Sequence, residues 1–135
     1  LPSRYRHRLR MRLNKRTQVA VTALEDIKAR DIKVLDVRKL TSFYDFLVIA
    51  SAESNRQVKA LAHHVRDRMK EAGADVIGLE GEETGEWVLV DCGDIVVHVM
   101  QPTARLYYQL DQSIQSHQYN QYHQYLLGRL VPLNP

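Results

Sequence analysis

Most of the side chains able to do chemistry sit in or beside one stretch, Gly85-Glu-Trp-Val-Leu-Val-Asp-Cys-Gly-Asp-Ile-Val-Val-His-Val-Met100. Asp91 and Asp94, together with Asp45, are hard oxygen donors of the kind that hold a magnesium ion. Metal-dependent nucleotidyl transfer requires two carboxylates one residue apart on a strand, after a Gly-Ser turn. Here Thr41-Ser42 precedes a lone Asp45, and Phe46 and Leu47 stand where the second acid should fall. Along the sequence no Lys or Arg stands near the hairpin, so none is expected there to hold a phosphate. A two-metal transferase is therefore the weaker reading, and neither a catalytic residue nor a metal or other cofactor is expected. Cys92, the only thiol, falls at an expected exposed turn between Asp91 and Asp94, whose charges raise its pKa and blunt it as a nucleophile. Phosphate-cradling Gly-x-Gly-x-x-Gly and Walker-type loops are absent. His63 and His64 are adjacent, so on a helix they point in different directions and read as surface or boundary residues, not a ligand pair.

The elements that must position these residues begin with the stretch itself, which reads as a β-hairpin turning at Cys92-Gly93. That turn sets Asp91 opposite Asp94, Leu89 opposite Val96 and Trp87 opposite His98. Side chains alternate along a strand, so Trp87, Leu89, Asp91, Asp94, Val96, His98 and Met100 share one face, and Val88, Val90, Ile95, Val97 and Val99 the other. The second set is pure aliphatic core. The first carries a Trp, two carboxylates and an imidazole, which a core accepts only with partners, so function is sought there. Trp is the residue type most enriched at interface hot spots, and carboxylates beside it can meet Lys or Arg. Packing of Trp87 beneath the last helix against Tyr107 or Tyr108 is the competing expectation.

Ahead of the hairpin, Ala20, Ala23, Leu24 and Ile27 make one apolar stripe of a helix from Thr17 to about Arg30-Asp31. Ile32–Arg38 reads as a strand, and Asp45–Ser51 as a central strand covered on both faces. Ser54 and Gln57 have capping-box spacing before a helix lined by Val58, Leu61, Ala62, Val65 and Met69 and stopped by Gly73. Ala74–Leu79 reads as a short strand, and Pro102 opens a last amphipathic helix with Ala104, Leu106, Tyr107 and Leu110. Beyond it Gln109, Gln112, Gln115, Gln118, Gln121 and Gln124 recur every third residue, which drifts around a helix without holding a face.

The expected organisation is thus a basic arm at 1–16, one domain at 17–111 and a low-complexity Gln/Tyr-rich tail at 112–135. With 135 residues and 44% apolar content the chain supports one core, and no apolar run reaches the roughly 18 residues that span a bilayer. A single cysteine favours a reducing compartment. The net charge of +3 hides a segregation: residues 1–24 hold seven bases and no acid, and residues 71–104 hold eight acids and no Lys or Arg. The acidic segment repels nucleic acid and attracts a basic protein, leaving the leading arm as the part suited to phosphate. An acid-free, Arg-rich leader also has the composition of an organelle transit peptide.

Three blocks, Leu35–Ser51, Asn55–Leu61 and Gly85–Val99, in this order, resemble the ribosomal silencing factor family, also called the Iojap or YbeB family. The resemblance spans roughly residues 18–111. It implies an α/β fold, a mixed sheet of about five strands flanked by helices, related to nucleotidyltransferases without their catalytic acid pair. It also implies a translational repressor that binds the large ribosomal subunit through its fourteenth protein and blocks joining of the small subunit when nutrients are short. Carried over by motif, Trp87, Asp91, Asp94 and His98 would lie at the partner surface, with Glu80, Glu82 and Glu86 as charge support and Arg105 and Tyr107 in a mixed structural and contact role. Contact of the basic arm with ribosomal RNA and a homodimer off the ribosome complete the expected partners, with no membrane. The expected compartment is the bacterial cytoplasm, with an organelle matrix as the alternative.

Overall fold

The computed structural model describes residues 15–39 and 42–108. The elements run α1 (Lys15–Asp26), β1 (Arg30–Asp36), β2 (Phe46–Ser51), α2 (Asn55–Glu71), β3 (Gly78–Glu80), β4 (Trp87–Asp91), β5 (Ile95–Met100) and α3 (Pro102–Tyr108). One mixed sheet has the order β1-β2-β5-β4-β3. Among the described residues its only parallel pair is β2 with β5, in register from Phe46↔Ile95 to Ser51↔Met100, and the other neighbours are antiparallel. This is the expected α/β architecture.

Burial on both faces explains the apolar run of β2. On one face Phe46, Val48, Ala50, Val88, Val90, Ile95, Val97 and Val99 pack against Ala20, Ala23 and Leu24 of α1 and the Val58–Met69 stripe of α2. On the other, Leu47, Ile49, Trp87, Leu89, Val96 and Met100 form a second cluster with Val37 and Tyr44, joined by Ala104 of α3. Two helices thus cover one face and a short helix touches the other. Every residue of β2, β4 and β5 is buried.

The caps show why α2 begins and ends where it does. Ser54 Oγ accepts from the Gln57 backbone N–H at 3.1 Å, while Gln57 Oε1 reaches back to the N–H of Glu53 at 3.2 Å, one residue before the usual target of a capping box. At the other end Gly73, at φ +84°, allows the N–H of Ala74 to reach the Met69 carbonyl at 3.0 Å, a helix stop that favours glycine.

Several boundaries differ from the sequence reading, among them the start of α1 at Lys15 and of β2 at Phe46. Helix α1 ends at Asp26, because Lys28 adopts φ +59° and turns the chain. Strand β1 runs Arg30–Asp36, with a register irregularity between Arg30 and Lys33, and β3 has only three residues. The hairpin turns at Gly93-Asp94, one residue later than expected. Cys92 N–H donates to the Ile95 carbonyl at 2.9 Å, and Gly93 takes the first central place with φ +87°, where a left-handed residue is needed. The pairs are therefore Trp87↔Met100, Leu89↔His98 and Asp91↔Val96. Moving the turn one residue shifts each pairing by two, which preserves the expected faces of the strand residues but takes Asp94, expected on a strand opposite Asp91, into the turn.

Gly85 ends the acidic loop with φ +70°, and a Cβ there would sit 2.9 Å from Asn55 Cβ and 3.0 Å from Lys59 Cε. The Gln101 amide ties this loop to α2 by bonding both Asn55 Oδ1 and the Gly85 carbonyl. Gly85→Ala should therefore lose about 1–3 kcal/mol of stability from left-handed strain alone, read as a lower urea midpoint.

Candidate partner-binding surface

On the hairpin's second face, Trp87 and His98 are joined, not displayed. Trp87 Nε1–H donates to His98 Nδ1 at 2.8 Å, and the ring centroids lie 5.6 Å apart at 46°. Indole is a donor only, so His98 Nδ1 carries the lone pair and the ring is the neutral tautomer protonated at Nε2. Trp87 is 3% exposed and His98 is fully buried. They sit diagonally across the two strands, not directly opposite, and this offset allows the indole to reach across.

The carboxylates divide in the same way. Asp91 is buried, and its Oδ1 accepts from the Gly93 N–H at 2.9 Å within the turn. Burial, the larger influence, raises its pKa, and the Gly93 bond opposes that rise. Asp94 is half-buried and pairs with Arg16 of α1 at 3.3 Å. Asp45 is exposed, and its backbone N–H donates to the Asp94 carbonyl at 2.7 Å. Asp91 is thus directed into its own turn and Asp94 toward α1. Among the described residues no three His, Cys, Asp or Glu side chains gather as a metal site.

Cys92 departs from its expected exposure: it is 1% exposed and belongs to the core against α1 and α2. Its pKa is pushed up to about 12, first by burial and then by Asp91 and Asp94, with Arg16 opposing. The expected direction holds, but burial is the dominant cause.

The exposed part of the expected surface is the loop between β3 and β4. Glu80 and Glu82 are half-buried, and Glu83 and Glu86 are exposed. Glu82 meets His63 Nε2 at 2.5 Å, which fastens the loop to α2. His64, the neighbouring imidazole, turns the other way and meets Asp26 of α1 at 3.0 Å, where Arg68 also approaches at 3.6 Å. The two histidines therefore serve two different contacts, as their adjacency suggested. Nothing in the spacing revealed which acids they would meet, because those lie on other elements.

Arg105 on α3 is half-buried and donates through Nη1 to the Asp31 carbonyl at 2.7 Å and to Ser51 Oγ at 2.9 Å. It anchors α3 to the start of β1, a structural role; Asp31 itself is held at φ +51°. Tyr107 lies on α3, and its side chain is outside the described residues. The last helix residue expected in the apolar stripe, Leu110, also lies outside them, as do the basic arm to residue 14 and the Gln/Tyr tail. Three large apolar side chains are exposed among the described residues: Leu106, 72% exposed although expected in the apolar stripe of the last helix, and, unforeseen, Ile77 ahead of β3, 69% exposed, and Phe43 ahead of β2, 62% exposed.

The arrangement is a small α/β scaffold whose polar hairpin groups are engaged internally and whose loop before β4 carries four carboxylates close together in sequence. Comparison with known proteins gives the family. The chain matches the family described as "Ribosomal silencing factor during starvation" over residues 10–123, and it belongs to that family. It is 54% identical over 101 residues to a ribosomal silencing factor of Chromobacterium violaceum, covering 75% of this chain and 83% of the relative. A crystal structure from the same organism superposes with a TM-score of 0.70 at 55% identity, covering 71% of this chain and 80% of that one. A more distant mouse relative, "Mitochondrial assembly of ribosomal large subunit protein 1", is 32% identical over 94 residues, covering 67% of this chain and 41% of the relative.

Two tests follow from the hairpin. Cys92 should resist iodoacetamide at pH 8 in the folded protein and react fully in urea, followed by mass spectrometry; rapid labelling of the native chain would contradict its burial. Asp91 binds its proton more tightly folded than unfolded, so between about pH 3.8, its unfolded value, and its raised native value stability falls as pH rises. Asp91→Asn, which can still accept from Gly93, should flatten that fall in pH-dependent urea melts.

Proposed function

We propose that this chain is a translational repressor that binds the large ribosomal subunit through its fourteenth protein and blocks joining of the small subunit. Its action is steric and non-enzymatic. The family description names ribosomal silencing in starvation, and the mouse relative's name carries the large subunit. The observation that carries the choice of partner is the acidic loop: Glu83 and Glu86 are exposed and Glu80 and Glu82 half-exposed, in a segment, 71–104, without a single Lys or Arg. Such a surface favours a basic ribosomal protein over bare RNA and steers its approach. Among the expected contact residues, Glu80, Glu82, Glu86, Asp94 and, in part, Arg105 meet solvent, while Trp87, Asp91 and His98 are buried in the hairpin. The bacterial cytoplasm is the compartment proposed for this activity.

Co-sedimentation with separated ribosomal subunits tests the reading. Wild type should travel with the large subunit only. The triple variant Glu82→Lys, Glu83→Lys, Glu86→Lys should bind at least about tenfold more weakly while keeping its circular dichroism spectrum, since like charges now face the partner. Trp87→Ala run in parallel, with the same folding control, reads the contribution of the hairpin. Wild type that pellets with neither subunit, or with the small one, overturns the proposal.

A further inference from the structure

The cations among the described residues are used unevenly: Lys15, Lys28 and Lys39 make no ion pair with the described residues but stand apart in sequence, while four arginines are paired. Arg16 meets Asp94, Arg30 meets Glu53, Arg38 meets Asp36, and Arg68 lies near Asp26 and Glu71. Along one side of α2 the pattern is different. Arg56, Lys59, His63, Arg66 and Lys70 are spaced by three and four residues, which places them within about 80° of the helix circumference over a length of about 21 Å. Arg56, Lys59 and Lys70 make no ion pair or side-chain hydrogen bond with the described residues, and Arg66 engages only its exposed neighbour Asp67 through Nε, at 3.0 Å.

The orientation of this stripe is fixed by its neighbours. The Gln57–His64–Arg68 side of α2 faces α1, where Gln57 Nε2 reaches the Ile27 carbonyl and His64 and Arg68 reach Asp26. The Val58–Met69 side faces the sheet. The basic stripe runs along the remaining flank, beside the acidic loop, where His63 meets Glu82 and the Lys59 stem crosses Gly85. One of these charges also opposes local helix preference, whereas Lys70, in the last turn, suits the helix dipole. Arg56 stands in the first turn, which contains no acid to balance it, although the helix dipole disfavours a cation there. A charge kept against local preference, without an internal partner, points to an external one.

We propose that the Arg56–Lys59–Arg66–Lys70 side of α2 binds the phosphate backbone of structured RNA. Lysine and arginine at successive helical turns neutralise successive phosphates without reading bases, and their long stems let the heads follow the groove. The choice of RNA over other polyanions rests on the ribosome reading above. A ribosomal surface sets basic protein beside RNA, and this flank sets an acidic loop beside a basic stripe. The two surfaces are complementary in the same order. The stripe residues belong to α2 and differ from those of the Arg-rich arm, which precedes α1 in sequence.

The test uses the full chain in three forms: wild type, a stripe variant with Arg56→Gln, Lys59→Gln, Arg66→Gln and Lys70→Gln, and an arm variant with the five arginines from Arg4 to Arg12 changed to Gln. Glutamine keeps helix propensity, and circular dichroism checks the fold. Binding to deproteinised large-subunit RNA is followed by filter retention across 50–200 mM salt, in parallel with pelleting on intact large subunits. Wild type should bind the RNA. The stripe variant should bind at least tenfold more weakly, with a salt slope shallower by about 3, since each lost phosphate contact removes about 0.7–0.9. Equal RNA affinity and slope for wild type and stripe variant overturns the proposal, as does loss of RNA binding in the arm variant alone or no binding by wild type. A stripe variant that binds RNA normally but no longer pellets with subunits also overturns it, and assigns the stripe to an acidic protein. Wild type that binds RNA yet fails to pellet with large subunits sinks the ribosome reading and leaves the stripe assignment standing.

Discussion

The structure depends on one constraint: β2, β4 and β5 are buried on both faces. A sheet covered on one side can carry polar groups freely on the other. A sheet covered on both must give each polar side chain a partner or bear its desolvation. Trp87 and His98 meet that condition through each other, and Asp91 through the turn it helps to close. The hairpin's unusual composition therefore serves its own packing first. What reaches solvent is pushed outward, to the loop before β4 and to the outer flank of α2.

This division separates two electrostatic roles on neighbouring elements. The loop before β4 collects carboxylates and α2 collects cations, and His63 with Glu82 joins the two where they meet. Gly85 makes the close approach possible, because a side chain there would strike Asn55 and Lys59. A surface with adjoining regions of opposite charge fixes the orientation of a partner as well as its identity, since a rotated approach would set like charges together. For a protein whose proposed action is to stand in another subunit's way, orientation matters as much as affinity.

Much of this was legible from residue order. The period-two alternation assigned Trp87, Leu89, Asp91, Val96, His98 and Met100 to one face, and a shift of the turn by one residue could not change that assignment. The turn itself was less legible, because Asp91 folds its carboxylate onto the Gly93 N–H and moves the glycine to the first central place. Helix α2 was readable through its cap and stripe, both local features. The burial of Cys92 was not, since a turn residue is expected outside unless helices on other parts of the chain close over it. The extent of β3 also escaped: Ala74–Leu79 has strand composition, but the chain leaves α2 through Gly73 and reaches β4 only at Ile77, whose N–H donates to the Asp91 carbonyl just before the strand starts at Gly78. The partners of His63 and His64, and the anchoring of Arg105, depend on contacts distant in sequence, which no local pattern encodes.

The two edges of the sheet carry a further consequence. At one edge β3 offers three residues; at the other, β1 breaks register between Arg30 and Lys33 and places exposed Lys33 beside the irregularity. Among the described residues neither margin presents a long, even row of free backbone donors and acceptors, and short or irregular charged edges discourage a stray strand from adding on. The valine-rich interior, which would aggregate readily as an isolated peptide, is thus fenced by margins that give fibril growth no regular template.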